Sequence, residues 1–255
     1  MWSKALDRWV RSYRDDDGCV TKLVCFAHAG GWSNAYRTWP TRLPSNVGVL
    51  AVRYPGREDR LADPFPSGIE ALADEIADAL GDLARQRLVL FGHSMGASVA
   101  HEVALRFQEW GCTPAALCVS GRLPPHALDG QRKYCGTDEE IIADIVGFDE
   151  SRAEVFADAG LRELVLPAIR EDYRMVDAYL GGRRPPLDCP VFGYTGADDP
   201  EVSPEQMRGW ADLTHRAFRL RVLPGGHFYL EAQEAAFLAD LGEVLAAIGC
   251  SVTGR

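Results

Sequence analysis

The chain has 255 residues, 47% of them hydrophobic and 25% charged, with a formal net charge of −10. This suits a soluble globular protein of one large or two small domains. The acidic balance disfavours nonspecific binding to nucleic acid or an anionic membrane.

The N-terminal stretch MWSKALDRWVRSYRDDD has no apolar h-region, so it does not read as a signal peptide. No run of about 18 apolar residues offers a membrane span. The first predicted strands are TKLVCFAH (21–28) and VGVLAVRY (47–54). Ser67-Gly68-Ile69-Glu70 has the spacing of a capping box. It predicts a helix carrying Ile69, Leu72, Ile76, Leu80 and Leu83 at near-3.6 spacing. RLVLFG (87–92) is all apolar, as expected of a strand buried on both faces. The next helix aligns Val99, Val103 and Phe107 and stops near Gly111, and AALCVSG (115–121) is a further strand.

From Arg122 to Asp188 there is no convincing strand. TDEE (137–140) and SRAE (151–154) have capping-box spacing, and Leu161, Leu164, Val165, Ile169, Tyr173, Val176 and Tyr179 form another helical pattern. RRPPLDCP (183–190) ends this insertion and leads into the strand VFGYTG (191–196). Ser203-Pro204-Glu205-Gln206 caps another helix, FRLRVLPGG (218–226) holds the last strand, and a helix over 229–248 closes the chain. Strands alternating with helices imply an α/β fold with a mainly parallel sheet. The expected division is one core domain, 1–121 with 189–255, and a helical insertion over 122–188. Of the seven cysteines, Cys19, Cys25, Cys112, Cys118, Cys135, Cys189 and Cys250, no two form a CxxC pair, and Cys25, Cys118 and Cys189 sit in or beside apolar runs. The expectation is a reducing cytoplasm, no disulfide framework and no metal site.

The strongest chemical signal is Gly92-His93-Ser94-Met95-Gly96. It is G-x-S-x-G between a predicted strand and a predicted helix, the context of a nucleophile elbow. The glycines permit a tight, strained turn that exposes the serine hydroxyl. Serine needs a base, and in such proteins the partners follow in the order Ser, Asp/Glu, His. His101 lies inside the next helix, His126 in a proline-rich loop and His215 at a helix end. His227 follows LPGG after the last strand and is the favoured general base. The acid is sought after VFGYTG, where Asp198 and Asp199 are adjacent. Asp199 lies at the common spacing from Gly196 and precedes Pro200, which favours an extended backbone; Asp198 suits a turn former. Asp199 would hold the imidazole tautomer and stabilise the imidazolium.

The glycine-rich loop in LVCFAHAGGWSNAY (23–36) presents backbone N–H groups to something negative. No Lys-Ser or Lys-Thr follows Gly31, and HAGGWSN does not supply G-x-G-x-x-G, so neither nucleotide motif is present. With a serine elbow in the chain, the loop is expected to supply one oxyanion donor, the other being the N–H of Met95. Ala29 is the first candidate in the loop and Gly30 the second. His28 is expected to orient the loop.

Taken together, FAHAGGW, RYPGREDR (53–60), GHSMGA, GADDPEV and LPGGHFYL resemble the stand-alone type II thioesterases of polyketide and nonribosomal peptide biosynthesis. The motifs keep the family's order from Leu23 to Leu230. The resemblance implies an α/β-hydrolase fold with a helical lid at 122–188. It implies a Ser94, Asp199 and His227 triad, with Ala29 and Met95 as oxyanion donors. It also implies a substrate: acyl groups on the phosphopantetheine of an acyl or peptidyl carrier protein, with no cofactor of the enzyme's own. The short leader before TKLVCFAH fits a stand-alone protein, expected to be a monomer. Phe148, Phe156, Leu161 and Tyr173 either line the acyl pocket or only pack the lid onto the core. Arg53, Arg57 and Arg60, or Arg183 and Arg184, are candidates to meet an acidic carrier, although arginines are more often solvated or support loops. The competing expectations are a carboxylesterase or lipase on the same fold, and a silent carrier-binding protein.

Overall fold

The computed structural model describes residues 2–128, 137–148 and 153–250. Cys135 and the start of the predicted capping box at Ser151 and Arg152 lie outside them. Ser3 accepts from the Leu6 N–H and opens α1 (Lys4–Trp9), which runs directly into β1 (Val10–Arg14). β1 carries no strand signal in the sequence: it has arginine at Arg11 and Arg14 and shows no apolar alternation. Its place is set by tertiary contacts. It pairs antiparallel with β3, while the Arg14 guanidinium donates to the Val47, Pro40 and Pro44 carbonyls.

β2 (Thr21–Phe26), β3 (Val47–Val52), β4 (Leu88–His93), β5 (Ala116–Ser120), β6 (Val191–Gly196) and β7 (Phe218–Leu223) complete a seven-stranded sheet. The order is β1-β3-β2-β4-β5-β6-β7, with all pairs parallel except β1 with β3. Every residue of β3, β4 and β5 is buried, which explains their continuous apolar runs. The register places Phe26 beside Gly92, His93 beside Ser120, Ser120 beside Tyr194, and Gly196 beside Leu223. The loops leaving β2, β4, β5, β6 and β7 therefore emerge along one edge. Functional loops of parallel sheets gather at that carboxyl edge.

Helix α2 (Ile69–Ala79) starts at an N-cap Gly68 that offers no side-chain cap, so the predicted Ser67 capping box does not form. Ser67 lies one residue too early; its carbonyl instead accepts from Arg174. Helix α3 (Met95–Glu109) follows the elbow. Between β5 and β6 lie α4 (Asp138–Phe148), α5 (Ala153–Ala157) and the 20-residue α6 (Ala159–Ala178). Thr137 and Glu140 form the expected reciprocal cap at the start of α4, and Asp158 caps α6 through the Leu161 N–H. Ile169 and Tyr173 of α6 pack with Ile141 and Ile145 of α4, whereas Leu161 and Leu164 point outward, 47% and 46% exposed. A complete capping box at Ser203 and Gln206 opens α7 (Pro204–Met207). The predicted closing helix is broken at Gln233 into α8 (Tyr229–Ala232) and α9 (Glu234–Cys250).

Among the described residues, Cys19, Cys25, Cys112, Cys118 and Cys189 are free thiols, and burial pushes Cys25 and Cys118 well up and Cys189 up to about 12. No described helix is long and apolar enough to cross a membrane.

Candidate active site

Ser94 sits between β4 and α3 at φ 53° and ψ −122°, a region that side chains other than glycine rarely occupy. Such strain costs on the order of 1–3 kcal/mol and persists only where the surroundings enforce it. Here close packing enforces it. A Cβ at Gly92 would lie 2.1 Å from the Gly96 carbonyl oxygen, and one at Gly96 would lie 2.1 Å from that of Phe26. The Ser94 N–H donates to the Ser120 carbonyl across the sheet at 2.8 Å. The turn is thus pinned between two strands and the start of α3, whose N-terminal N–H groups add partial positive charge.

Asp199 and His227 arrive on the loops after β6 and β7. His227 Nδ1 lies 3.0 and 3.1 Å from the two Asp199 carboxylate oxygens, and both residues are buried. Asp199 also accepts from the Glu201 N–H at 2.8 Å, so its carboxylate is held by its own loop. Asp198 is exposed and its backbone N–H goes to Gly225, which separates the two adjacent acids. The other predicted alternatives are elsewhere: His101 is buried against Trp210, His126 lies 3.9 Å from Asp212, and His215 is exposed.

One further histidine belongs here. The His93 ring lies 5.0 Å from that of His227, with Nδ1 2.9 Å from the Ser120 hydroxyl, itself 2.7 Å from the Tyr229 hydroxyl. Gly121 (φ 57°) leaves the room: a Cβ there would meet the His93 and His227 rings at 2.9 and 3.3 Å. The chain order Ser, acid, His points to histidines downstream of Ser94 and so does not single out His93. Its position inside G-x-S-x-G, one residue before the serine, was the available signal.

The loop after β2 is held from several sides. Tyr54 donates to the Ala27 carbonyl, Arg57 to that of Gly31 at 2.9 Å, and Glu58 accepts from both the N–H and the hydroxyl of Ser33. The Pro-Gly-Arg-Glu motif is therefore the buttress of the glycine-rich loop. The Gly31 N–H donates to the His28 carbonyl, and the Gly30 N–H to Asp172 Oδ2 at 2.7 Å. Among the described residues the N–H groups of Ala29 and Met95 meet no acceptor. His28 packs edge-on against Phe228 and lines the cavity.

Ser94, His227 and Ala29 open into one cavity of about 510 Å³. Ile145, Phe148, Phe156, Val165, Ile169 and Tyr173 line its lid side, and the Tyr173 hydroxyl donates to Asp144 at 2.8 Å. Of the four predicted pocket residues, Phe148, Phe156 and Tyr173 are in this wall. Leu161 is not, because the α6 turn that carries it faces solvent. Of the two readings of the arginines, the loop-supporting one holds for Arg53, Arg57 and Arg60. Arg53, Arg57 and Arg60 are buried: Arg53 on Asp59 and the Asp7 carbonyl, Arg57 on Asp172, and Arg60 on Asp63 with its guanidinium 3.7 Å above the Trp9 ring. Arg184 is committed to Glu70 and Glu102, whereas Arg183 is exposed.

A strained serine, a histidine oriented by a buried carboxylate and two unengaged N–H donors beside an apolar cavity are the parts of an acyl-transfer site. The thioesterase domain family matches residues 21–245. This chain belongs to the thioesterase domain family. The thioesterase is 35% identical over 238 residues to a Streptomyces griseus protein named "Probable cadicidin biosynthesis thioesterase", spanning 93% of this chain and 66% of that one. It is also 35% identical to the thioesterase PikA5 of Streptomyces venezuelae, over 93% of this chain and 85% of PikA5. Among solved structures it resembles the type II thioesterase BorB from the borrelidin biosynthetic cluster, with 38% identity and a TM-score of 0.86 over 95% of this chain and 98% of that one. The α/β-hydrolase architecture of these thioesterases is the fold described above.

Proposed function

We propose that this thioesterase hydrolyses acyl groups from the phosphopantetheine thiol of acyl or peptidyl carrier proteins, freeing carriers of a polyketide or nonribosomal peptide synthase from stalled or aberrant units. The observation that carries it is the buried Asp199–His227 pair, whose His227 lines one apolar cavity with the strained Ser94. The relatives' names support a thioesterase of antibiotic-type biosynthesis, and the site's geometry supports serine chemistry on a thioester.

Ser94 Oγ attacks the thioester carbonyl while His227 Nε2, the nitrogen left free by the Nδ1 contact to Asp199, takes its proton. Asp199 holds that tautomer and balances the imidazolium charge. The carbonyl oxygen becomes an oxyanion between the N–H groups of Ala29 and Met95, where one donor is worth about 2.7–4 kcal/mol. The carbon–sulfur bond breaks and the thiol leaves with the proton from His227. Water, deprotonated by His227, then attacks the acyl-Ser94 ester and restores the serine. A thiol of ordinary pKa about 8.5 is a good leaving group, so the first barrier lies mainly in attack and oxyanion formation. The lid wall of Phe148, Phe156 and Ile145 takes the acyl chain, and the enzyme needs no cofactor of its own.

Mass spectrometry of carrier proteins loaded with acetyl, propionyl, butyryl and longer acyl groups tests this directly. The expected result is loss of the acyl mass with wild type and retention with Ser94→Ala. Intact acyl carriers alongside rapid cleavage of simple oxygen esters would refute it in favour of a carboxylesterase. Absence of labelling by a fluorophosphonate would refute a catalytic serine altogether.

A further inference from the structure

Asp172 lies on the lid helix α6, yet its two carboxylate oxygens point into the core. Oδ2 takes the Gly30 N–H at 2.7 Å and Oδ1 takes the Arg57 guanidinium at 2.7 Å. Both side chains are almost wholly buried, at 1% and 3% exposure. Arg57 completes the circuit by donating to the Gly31 carbonyl. Ile169, one helical turn before Asp172, sits where a Gly30 Cβ would be, 3.1 Å away. Gly30 itself is at φ 73°. The next motif residue, Glu58, is one of only two described non-glycine residues at positive φ, the other being Ser94. Strain thus recurs at the nucleophile and at the loop's buttress.

A buried ion pair is weak evidence for stability, because an apolar pair of similar volume often does as well. This pair does something an apolar pair cannot. It fixes the direction of the peptide groups on either side of the Gly30–Gly31 bond, through the Gly30 N–H and the Gly31 carbonyl, in the loop whose next N–H toward the strand is that of Ala29. With its N–H spent on Asp172, Gly30 is withdrawn from the competition for a substrate oxygen.

We propose that Asp172, with Arg57, is the positioning residue of the oxyanion loop: a lid side chain that holds Gly30 so that Ala29 supplies the donor, making the oxyanion hole complete only while α6 is seated. This rests on the serine-hydrolase mechanism proposed above. A lid that lifts to admit an acyl chain withdraws Asp172 and relaxes the loop; a lid that reseats on bound substrate restores it. Turnover is thereby tied to closure by a hydrogen bond rather than by steric exclusion alone.

The test compares wild type, Asp172→Ala and Asp172→Asn on a butyryl thioester of N-acetylcysteamine, with an alkyl boronic acid as a tetrahedral transition-state analogue and thermal melting as a check of folding. Misplacing one oxyanion donor should lower kcat of Asp172→Ala about 30- to 100-fold with KM within about threefold, at or below the roughly 10²- to 10³-fold cost of losing such a donor outright. The boronate should bind more weakly by the same factor as kcat/KM falls. Asp172→Asn keeps an acceptor for the Gly30 N–H and should lose no more than about tenfold, although it leaves Arg57 uncompensated and melts lower. The proposal is overturned if folded Asp172→Ala keeps kcat within threefold, or if both variants lose activity only in step with their melting temperatures. Should neither variant fold, backbone amide NMR of the wild type decides. On boronate binding the Ala29 and Met95 amides should shift and Gly30 should not; a Gly30 shift in place of Ala29 overturns it. Wild type that neither turns over thioester nor binds boronate removes the underlying mechanism as well, whereas an active wild type with an indifferent Asp172→Ala removes this inference alone.

Discussion

His101 offers a stability test that needs no substrate. It lies on α3 beneath the nucleophile elbow, 0% exposed, its ring edge-on to Trp210, and neither ring nitrogen has a hydrogen-bond partner among the described residues. Burial is the main cause that lowers its pKa from 6.5 to about 4, with Arg184 and Arg106 adding to the effect and Glu102 opposing it. The native state therefore holds His101 neutral while the unfolded chain protonates it below pH 6.5. Stability is fully present above the unfolded pKa and is lost as pH falls toward the folded one. At about 1.4 kcal/mol per pH unit, the loss by pH 4 is on the order of 3 kcal/mol. Other carboxylates and histidines titrate in the same window, so the useful quantity is the difference between wild type and His101→Leu. Leucine removes two unsatisfied buried nitrogens without breaking a hydrogen bond. At pH 7 it should be neutral to about 2 kcal/mol stabilising, and its advantage should grow by about 3 kcal/mol on going to pH 4. Urea unfolding of both proteins between pH 4 and 7.5, followed by circular dichroism, measures this. Parallel stability–pH curves for the two proteins would refute the reasoning, since they would mean that His101 is protonated equally in the native and unfolded states.

Three further outcomes follow from the site. Asp199→Asn should lower kcat about 10³- to 10⁴-fold with little change in KM, because the amide no longer stabilises the imidazolium; steady-state thioester hydrolysis reads it. Gly96→Ala should prevent folding or accumulate as insoluble protein, since its Cβ would sit 2.1 Å from the Phe26 carbonyl oxygen; soluble yield and melting temperature check it. Phe156→Ala should shift the preferred acyl chain toward longer units by enlarging the cavity wall, while Leu161→Ser, on the exposed turn of α6, should leave the chain-length profile as it is; competition among C2 to C8 carrier thioesters distinguishes the two.

Much of the fold was legible because its signals are local. β4 and β5 are buried on both faces, so their sequences are unbroken apolar runs, and the elbow needs glycine on both sides of Ser94 for steric reasons that any protein obeys. The order Ser94, Asp199, His227 was readable for the same reason: each residue follows a strand that leaves the sheet at the same edge. β1 was not legible, since it is defined by its pairing with β3 and by Arg14 reaching the carbonyls of Val47, Pro40 and Pro44. Ser67 had a cap's spacing but not its position, because α2 starts one residue later than the pattern suggested.

The sequence by itself determined which residues are candidates for the chemistry: a serine in a glycine elbow, a histidine after the last strand, an acid after the preceding one and a glycine-rich loop without a nucleotide motif. Tertiary structure decided the choices among neighbours. It buried Asp199 against His227 and left Asp198 in solvent, and it put Arg53, Arg57 and Arg60 inside, where the sequence alone left them open between a docking surface and loop support. It also engaged the Gly30 N–H with a carboxylate 142 residues away and, among the described residues, left that of Ala29 without an acceptor. The physical reason is range. Backbone sterics and periodic burial act within a few residues and are written in the local pattern. The direction of a single N–H, or the partner of a buried guanidinium, depends on which side chain the fold brings to it from far along the chain.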